Sequence, residues 1–244
     1  MKNLYKRECE LKFRVLSHEH YKILLNKMLR AGFELHGSHV ETDFTPDVYD
    51  FSCRRNSIIL RFRLFESKTS NYLTTLKIAK PNDLFQEFIE IEYYSDIADR
   101  DKHSEINRIL SQHANISIPE DLDIGEDIFS LVSRLYQIGF VHCRMLSQKK
   151  RSLYKKKGIS ICFDEFPKAI GTYMEIEANS EVELNRVVAN LKLDRNQSEH
   201  RNYGKLIQDI QMDMGVPEKQ RRVCVFDADI EHKILGQFEL LMNN

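Results

Sequence analysis

Arg7-Glu8-Cys9-Glu10-Leu11-Lys12-Phe13-Arg14-Val15 alternates without a break. Cys9, Leu11, Phe13 and Val15 fall on one side of an extended chain, and Glu8, Glu10, Lys12 and Arg14 on the other, because successive side chains of a strand point to opposite faces. The stretch therefore reads as a strand with one charged face. Just beyond it Ser17 stands where a helix N-cap belongs. Ile23, Leu24, Leu25, Met28 and Leu29 then repeat at helical spacing, and Gly32 offers a left-handed stop. Together these predict a helix over about 18–31.

The same two-residue alternation recurs along the chain. It marks 57–64 with Arg61 and Arg63, 71–79 with Lys77, 85–94 with Glu90 and Glu92, and 149–155 with Lys149 and Arg151. With 159–163 leading to Asp164, and 172–178 carrying Glu175 and Glu177, seven strands are predicted, nearly all suited to antiparallel pairing. Helical stretches are expected near 101–113, 126–138, 181–192 and 202–214. The third opens on Ser180-x-x-Glu183 in capping-box form, and the last ends at Gly215. Two helices close on a Gly-Phe pair, Gly32-Phe33 and Gly139-Phe140, a weak echo between two halves joined by an acidic loop over 114–126. Residues 1–215 thus read as one domain. Residues 216–244 read as an appended segment with a basic turn (Lys219-Gln220-Arg221-Arg222), a short strand over 223–226 and an apolar terminal helix.

Composition removes several classes of function. In 244 residues, 36 Lys and Arg stand against 37 Asp and Glu, a formal charge of −1, so no global pull toward nucleic acid is written in the chain and a nucleic-acid partner is not expected. No apolar run approaches the roughly 18 residues of a membrane span, and the first residues lack the apolar core of a signal peptide. The expectation is a cytoplasmic protein with no membrane association, and a homodimer is left open. Cys9, Cys53, Cys143, Cys162 and Cys224 contain no C-x-x-C pair and read as buried reduced thiols. The phosphate-loop, dinucleotide and zinc-protease motifs are all missing.

The charged strand faces carry a collective signal. Glu8, Glu10, Glu90, Glu92, Asp164, Glu175 and Glu177 supply acids; Lys12, Arg61, Arg63, Lys77, Lys149 and Arg151 supply bases. Any single such strand reads as a sheet with one solvated face. Gathered on one inner surface, these charges would be costly to hold unless a ligand neutralised them. A closed antiparallel barrel can turn its polar face inward around water while its apolar face packs on outer helices. The ligand that suits such a tunnel is a polyphosphate with divalent cations: carboxylates favour Mg²⁺ or Mn²⁺, and Arg forks and Lys ammonium groups favour phosphate oxygens.

At this point the motifs resemble those of the CYTH superfamily, the triphosphate tunnel metalloenzymes. Glu8-Cys9-Glu10-Leu11-Lys12 is similar to its E-x-E-x-K strand, Leu60-Arg61-Phe62-Arg63 to its L-R-x-R strand, and Leu76-Lys77 and Glu90-Ile91-Glu92 to the strands that follow. Lys149-Lys150-Arg151, Phe163-Asp164-Glu165, Gly171-Thr172-Tyr173-Met174-Glu175-Ile176-Glu177 and Arg201-Asn202-Tyr203 continue the order. The resemblance implies an α+β fold with a closed eight-stranded antiparallel barrel, dependence on Mg²⁺ or Mn²⁺, and chemistry on a small molecule containing a triphosphate. It further implies that Glu8, Glu10, Glu175 and Glu177 hold metal, helped by Glu90, Glu92 and Asp164. Lys12, Arg61, Arg63, Lys77, Lys149 and Arg151 would grip the triphosphate, with Lys12, Lys149 and Arg151 acting in catalysis. The implied activity is a metal-dependent triphosphatase. Its rivals are a class IV adenylyl cyclase and a non-catalytic binder of polyphosphate or nucleotide. The cyclase branch carries a His-Phe pair ahead of the first motif, where this chain has Leu4-Tyr5-Lys6-Arg7.

Other residues receive plainer readings. Arg14 and Lys155 lie near strand ends and read as solvated. Cys9 and Cys162 are expected on the apolar face, and His18 and His20 at a solvated helix start. His36 and His39 are expected in a loop, and Lys155-Lys156-Lys157-Gly158 as a hairpin turn. Tyr203 is expected either to cap the tunnel or to pack its helix.

Overall fold

The computed structural model describes residues 4–242 except 67–71, 81–84, 96–98, 121 and 123–126. Asn71, the first residue of one expected strand, and residues 121 and 123–126 of the acidic 114–126 loop lie outside the described residues.

Eight strands among the described residues close a ring. In chain order they are β1 (Lys6–Val15), β2 (Glu34–Asp47), β3 (Ile58–Phe65), β4 (Tyr72–Lys80), β5 (Gln86–Tyr94), β6 (His142–Lys156), β7 (Ile159–Phe166) and β8 (Gly171–Ala178). Hydrogen-bonded neighbours run β6-β2-β3-β4-β5-β1-β8-β7, and β7 pairs back to β6. Every pairing within this ring is antiparallel. Closure removes the unpaired edges that an open sheet would expose. The α+β barrel implied by the sequence is therefore the observed fold.

The outer faces carry the hydrophobic core. Cys9, Leu11, Phe13, Ile161, Phe163, Met174 and Ile176 meet Leu24 and Met28 of α1 (His18–Arg30) and Leu184, Val187 and Val188 of α5 (Glu181–Asn190). Around the ring, Phe44, Leu60, Phe62, Leu76 and Ile91 meet Ile106, Ile109 and Leu110 of α3 (Arg100–Ala114) and Leu131, Val132 and Leu135 of α4 (Ile128–Gln137). Each fully buried aliphatic side chain contributes about 1.5–3 kcal/mol, so the helices hold the ring from outside and leave its inner face free for charge. The expected caps form: the Ser17 hydroxyl accepts from the His20 N–H at 3.1 Å, and that of Ser180 from the Glu183 N–H at 3.3 Å.

The two Gly-Phe closures have the same local structure. Gly32 (φ +83°) and Gly139 (φ +105°) take the left-handed conformation, which a side chain would strain. Phe33 and Phe140 then bond back to Met28 and Leu135 and bury their rings. Each pair launches a long strand, β2 and β6, and these two strands pair with each other from Glu34↔Lys155 to Asp47↔His142.

β2 corrects the sequence reading, which has no strand there and places His36 and His39 in a loop. Both histidines lie within β2. Gly37 and Pro46 disguise the segment, and each sits at a register shift in the β2–β6 ladder, where a bulge tolerates what a regular central strand does not. β6 also begins seven residues before the expected start, at His142. Cys162 is a second correction: it alternates with the core residues Ile161 and Phe163 and so shares the inner face of Asp164. Burial pushes its thiol well above the usual range, which leaves it inert. The hairpin turn at Lys157 (φ 47°) and Gly158 (φ +80°) is as expected, and all five cysteines are free and buried.

Beyond α6 (Tyr203–Asp213) the chain makes a short 3₁₀ turn over Glu218–Arg222. It then adds β10 (Val223–Cys224) parallel to β6, and ends in α7 (Ala228–Met242). A two-residue strand β9 (Ser198–Glu199) pairs with β1. Val223, Val225 and Ile234 are buried in the core formed with α3 and α4. No helix of the described residues is long and apolar enough to cross a membrane.

Candidate functional site: a charged tunnel inside the ring

The inner faces enclose a cavity of about 810 Å³ lined by side chains of β1 to β8 and by α6. Alternation places Glu8, Glu10 and Lys12 of β1 in it on one side and Leu11 in the core on the other; Leu11 and Lys12 are both 1% exposed. Burying a lone charge costs several kcal/mol unless it is paired. The pairing inside the ring is correspondingly dense.

On the arc formed by β1, β4, β5 and β8, carboxylates outnumber cations. Glu8, Glu10 and Glu177 each bring an oxygen within 4.8 Å of the others. Lys77 pairs with Glu8 and, at 3.2 Å, with Glu90; Lys12 pairs with Glu10 and, at 3.1 Å, with Glu175. Lys6 reaches Glu8 and Glu90 at 3.7 and 3.8 Å from the tunnel end. Burial, reinforced by the charges of Glu8 and Glu175, pushes the Glu177 carboxyl up to about 8. Burial likewise pushes Glu90 up to about 7 against the pull of Lys77, and raises Glu10. Glu8 goes the other way: burial raises it, but Lys77, the hydrogen bond with Glu90 and Lys6 together hold it below the usual carboxylate range.

On the facing arc of β2, β3, β6 and β7, every carboxylate meets a cation. Arg63 forks onto Asp43 at 2.6 and 2.8 Å and reaches Glu41 at 3.1 Å. Arg151 forks onto Asp164, both bonds 2.6 Å, and crosses to Glu175 at 2.7 Å. Lys149 lies 3.4 Å from both Glu41 and Asp164. Burial raises Asp43 and Glu41, yet Arg63 and its neighbours win, holding Asp43 to about 2 and Glu41 well below the usual range. Arg61 lies at the edge of this arc, 3.7 Å from Glu92 and 3.9 Å from Asp43.

A sequence profile of the CYTH domain matches residues 6–202, which run from the first charged strand to the start of α6. The chain belongs to the CYTH domain family. No characterised protein in the curated collection compared matches it significantly. Among solved structures, the ring resembles the PH1012 protein of Pyrococcus horikoshii (TM-score 0.57, 18% identity, 82% of this chain and 98% of that one). It also resembles a candidate adenylate cyclase of Vibrio parahaemolyticus (TM-score 0.53, 18% identity, 82% and 97%). A third neighbour is HpAC1 of Hippeastrum, a candidate adenylyl cyclase reported to have a dominant triphosphatase activity (TM-score 0.51, 16% identity, 86% and 96%). These likenesses establish the shared fold.

Within this CYTH ring the thirteen residues singled out in the sequence all fall on the inner face or its rim, but they divide. Glu8, Glu10 and Glu177 converge as a group that could hold a metal. Glu90 joins them through Lys77, whereas Glu175 and Asp164 are taken up by Lys12 and Arg151. Glu92, the most open of the set, accepts from Thr75 at 3.0 Å. Arg14 and Lys155 are exposed. Tyr203 both packs against Phe166 and Tyr173 and places its ring over Lys12 and Lys149, 5.0 and 5.1 Å from the ammonium nitrogens.

Sequence reasoning misses Glu41 and Asp43, the carboxylates of β2, and Gln86, whose side-chain oxygen accepts from Lys12 at 2.8 Å. A signal was present in the alternation of His39, Glu41, Asp43 and Thr45, all of which line the cavity. Charged and small polar residues obscured it.

The acidic arc fits a hard divalent cation. Three glutamates within one ion's reach, Glu8 and Glu10 buried and Glu177 partly so, supply oxygen donors alone, and burial raises Glu177 and Glu10 even with Lys12 beside Glu10.

Proposed function

We propose that this CYTH protein is a divalent-metal-dependent phosphohydrolase that releases orthophosphate from inorganic tripolyphosphate, thiamine triphosphate or a nucleoside triphosphate. The observation that carries the reading is the division of one closed tunnel into a carboxylate arc and a guanidinium-rich arc. In it Glu8, Glu10 and Glu177 hold Mg²⁺ or Mn²⁺, with Glu90 supporting them through Lys77. The ion, when bound, supplies Lewis-acid neutralisation of the phosphate oxygens.

The chain's own groups do the rest. Arg61, Arg63 and Lys77 bind and orient the phosphate chain, and Lys12, Lys149 and Arg151 stabilise the charge that develops on the phosphoryl group in transfer. Glu175 and Asp164 keep Lys12 and Arg151 aimed inward, and Glu92 steadies Arg61. Water attacks the terminal phosphorus, one P–O bond forms and one breaks, and the proton passes to solvent or to the departing phosphate. No covalent enzyme intermediate is needed. The triphosphatase activity reported for the Hippeastrum neighbour is in line with this chemistry.

The test is phosphorus NMR of the protein with Mn²⁺ or Mg²⁺ and each of ATP, thiamine triphosphate and tripolyphosphate. Orthophosphate from at least one of them is the expected result. Cyclic AMP with pyrophosphate would replace the hydrolase by a cyclase, and tight binding without turnover would replace it by a binding module.

A further inference from the structure

The chain after α6 shapes one mouth of the tunnel. The turn over Glu218–Arg222 is pinned there by β10, whose Val223 and Cys224 pair with Leu146 and Ser147 of β6, and by Gln211, which donates to the Val223 carbonyl at 3.1 Å. The turn brings Arg221 and Arg222 to the cavity lining, beside Arg144 of β6 and Arg54 from the short helix α2 (Ser52–Arg55). These arginines differ from those of the inner arcs. Arg221 donates through Nε to the Val216 carbonyl at 2.6 Å, and Arg144 through Nη1 to the Ile58 carbonyl at 2.8 Å. Arg144 lies 3.9 Å from Asp47, a carboxylate already engaged by the Val48, Cys53 and Arg54 N–H groups. Arg54 and Arg222 make no side-chain hydrogen bond or ion pair among the described residues. The rim's own acids do little to offset them: Asp209 is taken by Arg201 and Lys205 at 3.0 and 2.6 Å, and Glu218 is exposed.

Distance separates this rim from the inner cations. Arg144 is five residues along β6 from Lys149, roughly 17 Å at the rise of an extended strand. That backbone separation is longer than three linked phosphates; the turn itself stands nearer, since Val223, next to Arg222, pairs with Leu146, three residues from Lys149. Guanidinium forks with free N–H groups on the wall of a phosphate tunnel select further phosphate oxygens.

We infer that the mouth formed by Arg54, Arg144, Arg221 and Arg222 is an extension subsite for linear inorganic polyphosphate longer than three units, which threads its terminal phosphates into the tunnel. This rests on the reading of the tunnel as a site for phosphate chains.

The test measures orthophosphate release and calorimetric binding across polyphosphates from tripolyphosphate to long chains, for the natural protein and for R221A/R222A. For the natural protein, kcat/KM per chain end rises roughly tenfold beyond three phosphates. In R221A/R222A that gain disappears while tripolyphosphate turnover is unchanged. If the double variant fails to fold, R54A on its separate helix carries the same expectation. The inference is overturned by equal kcat/KM for all lengths, by a loss shared equally with tripolyphosphate, or by an arginine-dependent gain for a 5′-triphosphorylated oligonucleotide instead. Absence of turnover on every chain would defeat the hydrolase reading alone. The calorimetric comparison of long chain with tripolyphosphate would still decide the mouth.

Discussion

The two arcs of the tunnel are built from the same residue types and behave in opposite ways. Around Glu8, Glu10, Glu90 and Glu177 the carboxylates exceed their cations, and burial with mutual repulsion drives three of the four toward the protonated form. Around Glu41 and Asp43 each carboxylate faces a guanidinium, and both remain ionised. The difference is stoichiometric: the first arc has fewer cations than carboxylates, and on the second Arg61, Arg63, Lys149 and Arg151 outnumber Glu41, Asp43 and Asp164. The first is therefore a place for a metal ion to enter, and the second a rigid scaffold that presents arginines and lysines to an anion.

Removing the ion should break the contrast most severely. Treatment with a chelator is expected to reduce orthophosphate release to background, and added Mn²⁺ to restore it, as followed by a phosphate assay. Next in size is R151A, which strips the guanidinium-rich arc of the group joining Asp164 to Glu175. Turnover should fall by roughly 10²–10³, and urea unfolding should show a loss of about 3–5 kcal/mol from the unpaired buried carboxylates. R151A/D164N should regain part of that stability and none of the activity; full recovery of turnover would remove Arg151 from the chemistry.

The pH response sharpens the comparison further. Glu177 is raised in the fold from an ordinary value of 4.5 to about 8. Its contribution to stability is therefore fully present below 4.5 and is lost as pH rises through about 8. Asp43, lowered from 3.8 to about 2, contributes above 3.8 and is lost as pH falls through about 2. Metal-free protein should accordingly lose Tm as pH rises from about 4.5 to about 8, an effect that Mn²⁺ reverses at the upper end and E177Q flattens. A Tm insensitive to Mn²⁺ at the alkaline end would detach Glu177 from metal. The smallest effect is expected from Y203L. Loss of the ring over Lys12 and Lys149 should change KM by a few fold, on the scale of about 1 kcal/mol for cation–π contacts, while Y203F leaves it unchanged.

Much of this was legible before any fold was in view, and the exceptions have physical causes. Glu8, Glu10 and Lys12 were readable because their strand alternates cleanly against Cys9, Leu11 and Phe13. Glu41 and Asp43 were not, because Gly37 and Pro46 imitate loop punctuation and only the bulges in the β2–β6 ladder show how a strand absorbs them. Cys162 was misread because a small apolar thiol fits either face, and only the burial of Ile161 and Phe163 outside assigns it to the inside.

Alternation by itself determined which side chains of each strand share a face, since a pleated chain has no other choice. It could not determine which carboxylates meet. Glu10 stands opposite Glu177, and Lys12 opposite Glu175, only because β1 and β8 pair in one register to close the ring. A shift of one residue would turn every charge toward the core. Grouping Glu8, Glu10 and Glu177 for a cation while giving Glu175 to Lys12 and Arg151 is a decision of tertiary structure, because charges far apart in the chain interact only where closure brings them within a few ångströms.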